Sequence, residues 1–192
     1  MDYAIKCMCM NKQQKLDKLK TEVEGCKNCQ KESIGIAVFG EGNSDAKIMF
    51  VGEAPGKNEA KEGRPFIGRS GKLLRGCIAT VGLKEEDIYI TSPVKYLPER
   101  GTPSRQQIIH AKTHFDKQVE IINPKIIVLL GKTAVYAVLE EDIPILTQHG
   151  TIIKRDDKSY LLTIHPAAAL RFPKYKQIIE GDFNTLKSII SS

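Results

Sequence analysis

Three stretches of the chain carry residue types that could do chemistry. The first is GEAPG at positions 52–56, which places Glu53 between Gly52 and Ala54, Pro55 and Gly56 and runs on into EGRPFIGRSGKLL, where Phe66 stands in a polar setting. The second is HPAAALRFP, led by His165 and ending in Leu170, Arg171 and Phe172. The third is Cys26-Lys27-Asn28-Cys29, two thiols at a spacing suited to a metal or cluster. Gly and Pro in one such loop need only shape a turn, and one histidine after an apolar strand needs only a hydrogen-bond partner. A ring inside a Gly/Pro-rich polar loop has few apolar neighbours in sequence, however, which favours a stacking surface over a core position. Their coincidence at one place is what would make a site.

The elements that must position these residues read as alternating strands and helices. Residues 47–51 (KIMFV), 88–91 (IYIT), 126–130 (IIVLL) and 160–164 (YLLTI) are short, β-branched-rich runs bounded by turn formers, the pattern of strands buried on both faces. Between them, 70–81 places Leu73, Leu74, Cys77, Ile78 and Val81 on one helical face, and 103–122 opens with Pro-Ser and repeats Ile108, Phe115, Val119 and Ile122. The expectation is an α/β fold, a three-layer α/β/α sandwich on a mainly parallel four-stranded sheet. No repeat or linker divides the 192 residues, so one domain is expected, with residues 1–25 a helical extension packed on it. In such sheets ligands bind beyond the carboxyl ends of the strands, where helix N-termini point free N–H groups outward. GEAPG, SPVKYLPERGTP and HPAAALRFP each follow a strand. The turn Leu130-Gly131-Lys132-Thr133 reads as an ordinary connection whose glycine serves packing.

Composition narrows the function classes. No apolar run approaches a membrane span and no secretory signal opens the chain, so a cytoplasmic protein with reduced thiols and no membrane partner is expected. The net charge of +6 is compatible with a polyanionic partner and does not by itself require one. A nucleotide-binding domain is disfavoured, because neither a Walker loop nor a dinucleotide fingerprint with its ribose-binding acid is present.

Together, GEAPG, GRPFIG, VKYLPERGTP, PKIIVLLG and HPAAALRFP resemble the uracil-DNA glycosylase superfamily, most closely its family 4, over nearly the whole chain from about residue 26 to 183. The resemblance implies a monofunctional, monomeric DNA-repair enzyme that flips uracil out of single- or double-stranded DNA and hydrolyses its N-glycosidic bond. It implies that Phe66 stacks on the base, that the backbone of Gly52, Ala54, Pro55 and Gly56 holds uracil oxygen, and that His165 donates to uracil O2 as charge builds there. Glu53 is the implied carboxylate for water or the sugar cation, although family 1 enzymes carry an Asp where this chain has Ala54. Glu59 would stand where a thymine methyl clashes, or be a solvated loop acid. Ala169, Leu170 and Arg171, with Phe172, would supply the wedge and phosphate contacts, and Lys95, Arg69, Lys72, Arg100 and Arg105 could line the same face.

Two departures stand out against family 4. Ser92 occupies the place of an Asn that would read the base edge, and a hydroxyl lacks the two-point amide fork. A glycosylase-like DNA-binding protein with altered specificity therefore stays open beside the enzyme. The family also implies a [4Fe–4S] cluster on four cysteines. Cys26 and Cys29 match the first pair, but Tyr96 and Ala111 stand at the other two positions, leaving Cys7 and Cys9 to complete a four-thiolate site if the N-terminal segment folds back. Cys77 reads as core, and His110 and His114, spaced i, i+4, read as a helix-surface pair rather than a metal pair.

Overall fold

The computed structural model describes residues 10–191. Cys7 and Cys9 lie outside the described residues. The described residues open with helix α1 (Lys12–Glu24) and the short α2 (Lys27–Gln30), followed by strands β1 (Ser33–Ile34), β2 (Glu41–Gly42) and β3 (Ile48–Val51). Next come α3 (Glu59–Glu62), α4 (Arg69–Thr80), β4 (Ile88–Thr91), β5 (Leu97–Pro98) and α5 (Arg105–Ile122). The second half runs through β6 (Ile126–Leu130), α6 (Lys132–Leu139), α7 (Ile145–Gln148), β7 (Ile152–Arg155), β8 (Lys158–Thr163), α8 (Pro166–Arg171) and α9 (Lys174–Ile190).

The principal sheet has the order β2-β4-β3-β6-β8-β7. Its four inner strands are parallel and are the four expected from the apolar runs. The edges β2 and β7 are antiparallel additions. They escape the apolar-run criterion because one is two residues long and the other is only partly buried. A separate two-stranded pairing joins β1 to β5.

Alternating side chains explain the three layers. Met49, Val51, Ile127 and Leu129 point to one face, where they meet Leu16, Leu19 and Val23 of α1, Phe115 and Ile122 of α5 and Val135 of α6. Ile48, Phe50, Val128 and Leu130 point to the other, against Leu74, Cys77 and Ile78 of α4 and Ile179, Phe183 and Leu186 of α9. Both faces are dry, so the central strands β3 and β6 are apolar at every position instead of every second one. Phe50 and Phe183 stack across the second interface with ring centroids 5.9 Å apart.

Local capping fixes where the helices begin. Ser104 accepts from Gln107 N–H and Gln107 reaches back to Ser104 N–H, so α5 starts at Arg105, just after the Pro-Ser pair. Asn11 and Gln14 form the same box on α1. From β3 the chain moves to one neighbour, β4, and then crosses to the other side through β6 and β8. The sheet therefore has a topological switch beside β3, and the crevice beyond the carboxyl ends of β3 and β6 is where a ligand site is expected.

Candidate active site at the strand ends

Four loops meet at that crevice. The loop after β3 brings Gly52 and Phe66 together so closely that a Cβ on Gly52 would lie 2.6 Å from Phe66 Cζ and 3.1 Å from Ser92 Oγ. Only a glycine leaves room for the ring there. Phe66 itself adopts φ +51°, a left-handed conformation that an aromatic residue rarely takes, and its ring is largely buried. The carbonyl of Phe66 in turn rests on Gly71, whose Cβ would sit 1.7 Å from that oxygen. The glycine-rich character of the loop is thus partly a device for holding one ring in a strained pose against the strand ends.

Glu59 supplies the remaining tether. It is buried, and its Oε1 accepts from Ile67 N–H at 3.0 Å and Gly68 N–H at 2.9 Å, while Oε2 fills the space beside Gly56. The carboxylate ties the GEAPG half of the loop to the Phe66 half, at the start of α4. This corrects the expectation of a solvated loop acid, because the side chain is buried and Oε1 is spent on two backbone N–H groups of the loop.

His165 is the residue preceding α8, and its position follows from helix capping. The Ala167 N–H donates to His165 Nδ1 at 3.1 Å, which leaves the ring proton on Nε2. Burial pushes the imidazole down to about 4, so the ring is neutral near pH 7 and still a donor at Nε2. Gly131, at φ +89°, packs beneath it, with a Cβ at that position falling 2.9 Å from His165 Cβ. The rings of Phe66 and His165 lie 5.9 Å apart at an interplanar angle of 30°.

Glu53 faces the same crevice. Its Oε2 accepts a 2.5 Å hydrogen bond from Thr133 Oγ1, at the start of α6. Pro55 is buried and Ala54 packs against the cluster of Val94, Ile108, Ala111 and Ala137, so this turn is fixed from beneath. Thr133 and Gly131 were the residues that sequence reasoning passed over. The available signal was positional: they follow β6, and every parallel strand ends at the same edge.

Several charged and apolar residues stand elsewhere than expected. Lys95 does not face solvent: its Nζ donates to Gln118 Oε1 at 2.6 Å, Thr91 Oγ1 at 2.7 Å and Phe39 O at 3.0 Å, between the rings of Phe39 and Phe115. Burial lowers its pKa well below the usual lysine range. The expectation of a DNA contact at Lys95 is therefore corrected; the residue braces the loop after β4 from within. Ala169 is likewise buried in the core and presents no surface. Leu170 and Phe172 are exposed at the end of α8, and the Arg171 guanidinium lies 5.4 Å over the Phe172 ring. Arg69, Lys72 and Arg100 are exposed, whereas Arg105 is held by the Tyr136 hydroxyl at 2.7 Å.

The Cys26 and Cys29 pair lies away from this crevice, against α5. Cys26 Sγ is 3.2 Å from His110 Nε2, and the donor atoms of Cys26, Cys29, His110 and His114 all lie within 4.8 Å of one another. The two histidines are therefore not a solvated helix-surface pair. Tyr96 and Ala111 are buried side chains that offer no thiolate.

Comparison with known proteins identifies relatives along most of the chain. Residues 39–186 match the family model of the Uracil DNA glycosylase superfamily. The chain is 40% identical over 185 residues to a type-4 uracil-DNA glycosylase of Sulfurisphaera tokodaii, covering 91% of this chain and 84% of that protein. It is 37% identical to one of Saccharolobus solfataricus, covering 92% and 87%. A type-4 enzyme of Thermotoga maritima is 39% identical over 80% of this chain and 82% of its own length. With Phe66, His165, Glu53 and the GEAPG turn at one crevice of the sheet, and these relatives spanning most of the chain, the protein belongs to the uracil-DNA glycosylase superfamily and stands with its type-4 members.

Proposed function

We propose that this chain is a monofunctional uracil-DNA glycosylase, working as a monomer on uracil extruded from single- or double-stranded DNA. The observation that carries the reading is the juxtaposition of Phe66 and His165 across the Gly52 strand end.

Each residue then has a task its environment suits. Phe66 offers a face for a flat base, and the strand-end backbone at Gly52 admits that base because no side chain intervenes. His165 Nε2–H donates to uracil O2, where electron density accumulates as the N1–C1′ bond breaks. A neutral imidazole fits this task, since its donor persists without a buried cation in the resting site. Glu53, oriented by Thr133, holds water below C1′ and stabilises the positive charge developing on the sugar. The water oxygen bonds to C1′, the N1–C1′ electron pair leaves on uracil, and the water's proton departs through the carboxylate. Ser92 Oγ, beside Gly52 and Phe66, supplies a single hydrogen bond to the base edge. Leu170 and Phe172, exposed at the end of α8, fill the vacated stack while Arg171 meets phosphate. Lys95, with its amine bonded to three acceptors, is not available as a Schiff-base nucleophile, which fits hydrolysis without strand cleavage.

The test is a uracil-containing oligonucleotide incubated with the protein and then treated with alkali. Strand breaks with the wild type, lost in His165→Ala and reduced in Glu53→Ala, are expected. Binding without breaks in the wild type would favour a non-catalytic DNA-binding protein instead.

A further inference from the structure

Family resemblance leads to a [4Fe–4S] cluster on four thiolates, and the described residues do not fit one. Cys26 and Cys29 are present, while Tyr96 and Ala111 close the remaining positions with buried, non-ligating side chains. Ala111 belongs to a small apolar cluster with Val94, Ile108 and Ala137. What faces the cysteine pair instead is His110 and His114, one turn apart on the same face of α5.

We infer that Cys26, Cys29, His110 and His114 form a closed tetrahedral site for a single zinc ion. Distance separates this from either type of cluster. Thiolates and imidazoles on one zinc ion, at about 2.3 and 2.0–2.1 Å from the metal, have tetrahedral edges of roughly 3.3–3.8 Å. Here Cys26 Sγ and His110 Nε2 are 3.2 Å apart, and all four donors lie within 4.8 Å of one another. In a cubane each iron stands between its own ligand and the cluster centre, which drives the ligands further apart than those on one ion. A two-iron centre with cysteines on one iron and histidines on the other would separate sulfur from nitrogen across the cluster, and the sulfur–nitrogen pair is the close one here.

Two further observations point to a ligand. His114 Nδ1 is the one buried side-chain nitrogen or oxygen among the described residues without a hydrogen-bond partner, as expected of a donor awaiting a cation. Cys29 N–H points at Cys26 Sγ at 3.4 Å, the backbone support that a metal-bound thiolate uses. Two soft sulfurs with two imidazoles in a tetrahedron select zinc over harder divalent ions. Four protein donors leave no open position, so the ion is structural: it fastens α2 to α5 and thereby holds the segment leading into β1, which pairs with β5.

The inference stands or falls independently of glycosylase activity. Protein purified without added metal should contain about one zinc ion per chain by mass spectrometry, no acid-labile sulfide and no visible colour. Removal of the metal and titration with cobalt(II) should give the intense ligand-field bands of a tetrahedral site with thiolate-to-metal charge transfer. Cys26→Ser and His114→Ala should each lose the stoichiometric metal. Because these variants could fail to fold, the cobalt titration of the wild-type chain decides alone. Stoichiometric iron with labile sulfide and a brown colour, or a cobalt spectrum without thiolate charge transfer, would overturn the assignment.

Discussion

Thr133 Oγ1 donates to Glu53 Oε2 at 2.5 Å, joining the ends of β3 and β6 where the sheet changes direction. The hydroxyl fixes one carboxylate oxygen and leaves the other for the reaction. Thr133→Val should lower kcat by about fivefold with little change in KM, on the ~1 kcal/mol worth of a hydrogen bond to a positioned group. Thr133→Ser should restore it. Steady-state kinetics that show only a KM change would remove Thr133 from this role.

His165 sets the pH behaviour. Because burial holds it neutral down to about 4, uracil release should stay free of a histidine break near 6.5 on acidification. Stability follows the same linkage. The unfolded chain takes up this proton from about pH 6.5 downward and the folded chain only near 4, so the native state is fully stable above 6.5 and loses up to roughly 3 kcal/mol on descent. His165→Gln should flatten that slope in denaturant titrations while reducing turnover by about a hundredfold or more. A wild-type activity profile that breaks at 6.5 would contradict a buried neutral ring.

Gly52 and Gly71 separate catalysis from folding. Gly52→Ala brings a methyl group 2.6 Å from the Phe66 ring edge, which the side chain can relieve by shifting. A small change in Tm with a loss of about a hundredfold in kcat/KM is expected, since a displacement near 1 Å is enough to misplace the base. Gly71→Ala meets the Phe66 carbonyl at 1.7 Å, which is backbone. It should destabilise by about 3 kcal/mol, read by denaturant unfolding. Equal Tm losses in the two variants would show that the ring is not free to move.

Glu59→Ala strands the N–H groups of Ile67 and Gly68 in a partly buried loop, at an expected loss of about 2 kcal/mol in stability. Thymine should still be refused by this variant, because the carboxylate acts within the loop. Gain of thymine release in an oligonucleotide assay would assign Glu59 the specificity role.

Lys95 and Arg171 should behave oppositely in salt. Arg171→Ala removes an exposed cation at the end of α8 and should reduce the salt dependence of DNA binding by about one counterion. Lys95→Met should leave that slope unchanged and alter only thermal stability, since the amine is spent on Gln118, Thr91 and Phe39. Parallel affinity measurements at several salt concentrations distinguish them.

The sequence by itself determined the layers and the edge at which chemistry gathers. Strands buried on both faces must be apolar throughout, and loops bearing Glu53, Phe66 and His165 must emerge where parallel strands end, so local pattern and chain order suffice. The tertiary structure alone decided which polar groups are turned inward. Lys95 looked like a surface cation until α5 brought Gln118 over it, and Glu59 looked solvated until Gly68 closed above it. Thr133 reached Glu53 only because β6 lies beside β3, and His110 and His114 met Cys26 and Cys29 only because α2 rests on α5. Each of these pairings joins residues that are not neighbours in the chain, and their energies depend on a desolvated meeting point that the packed sheet and helices create.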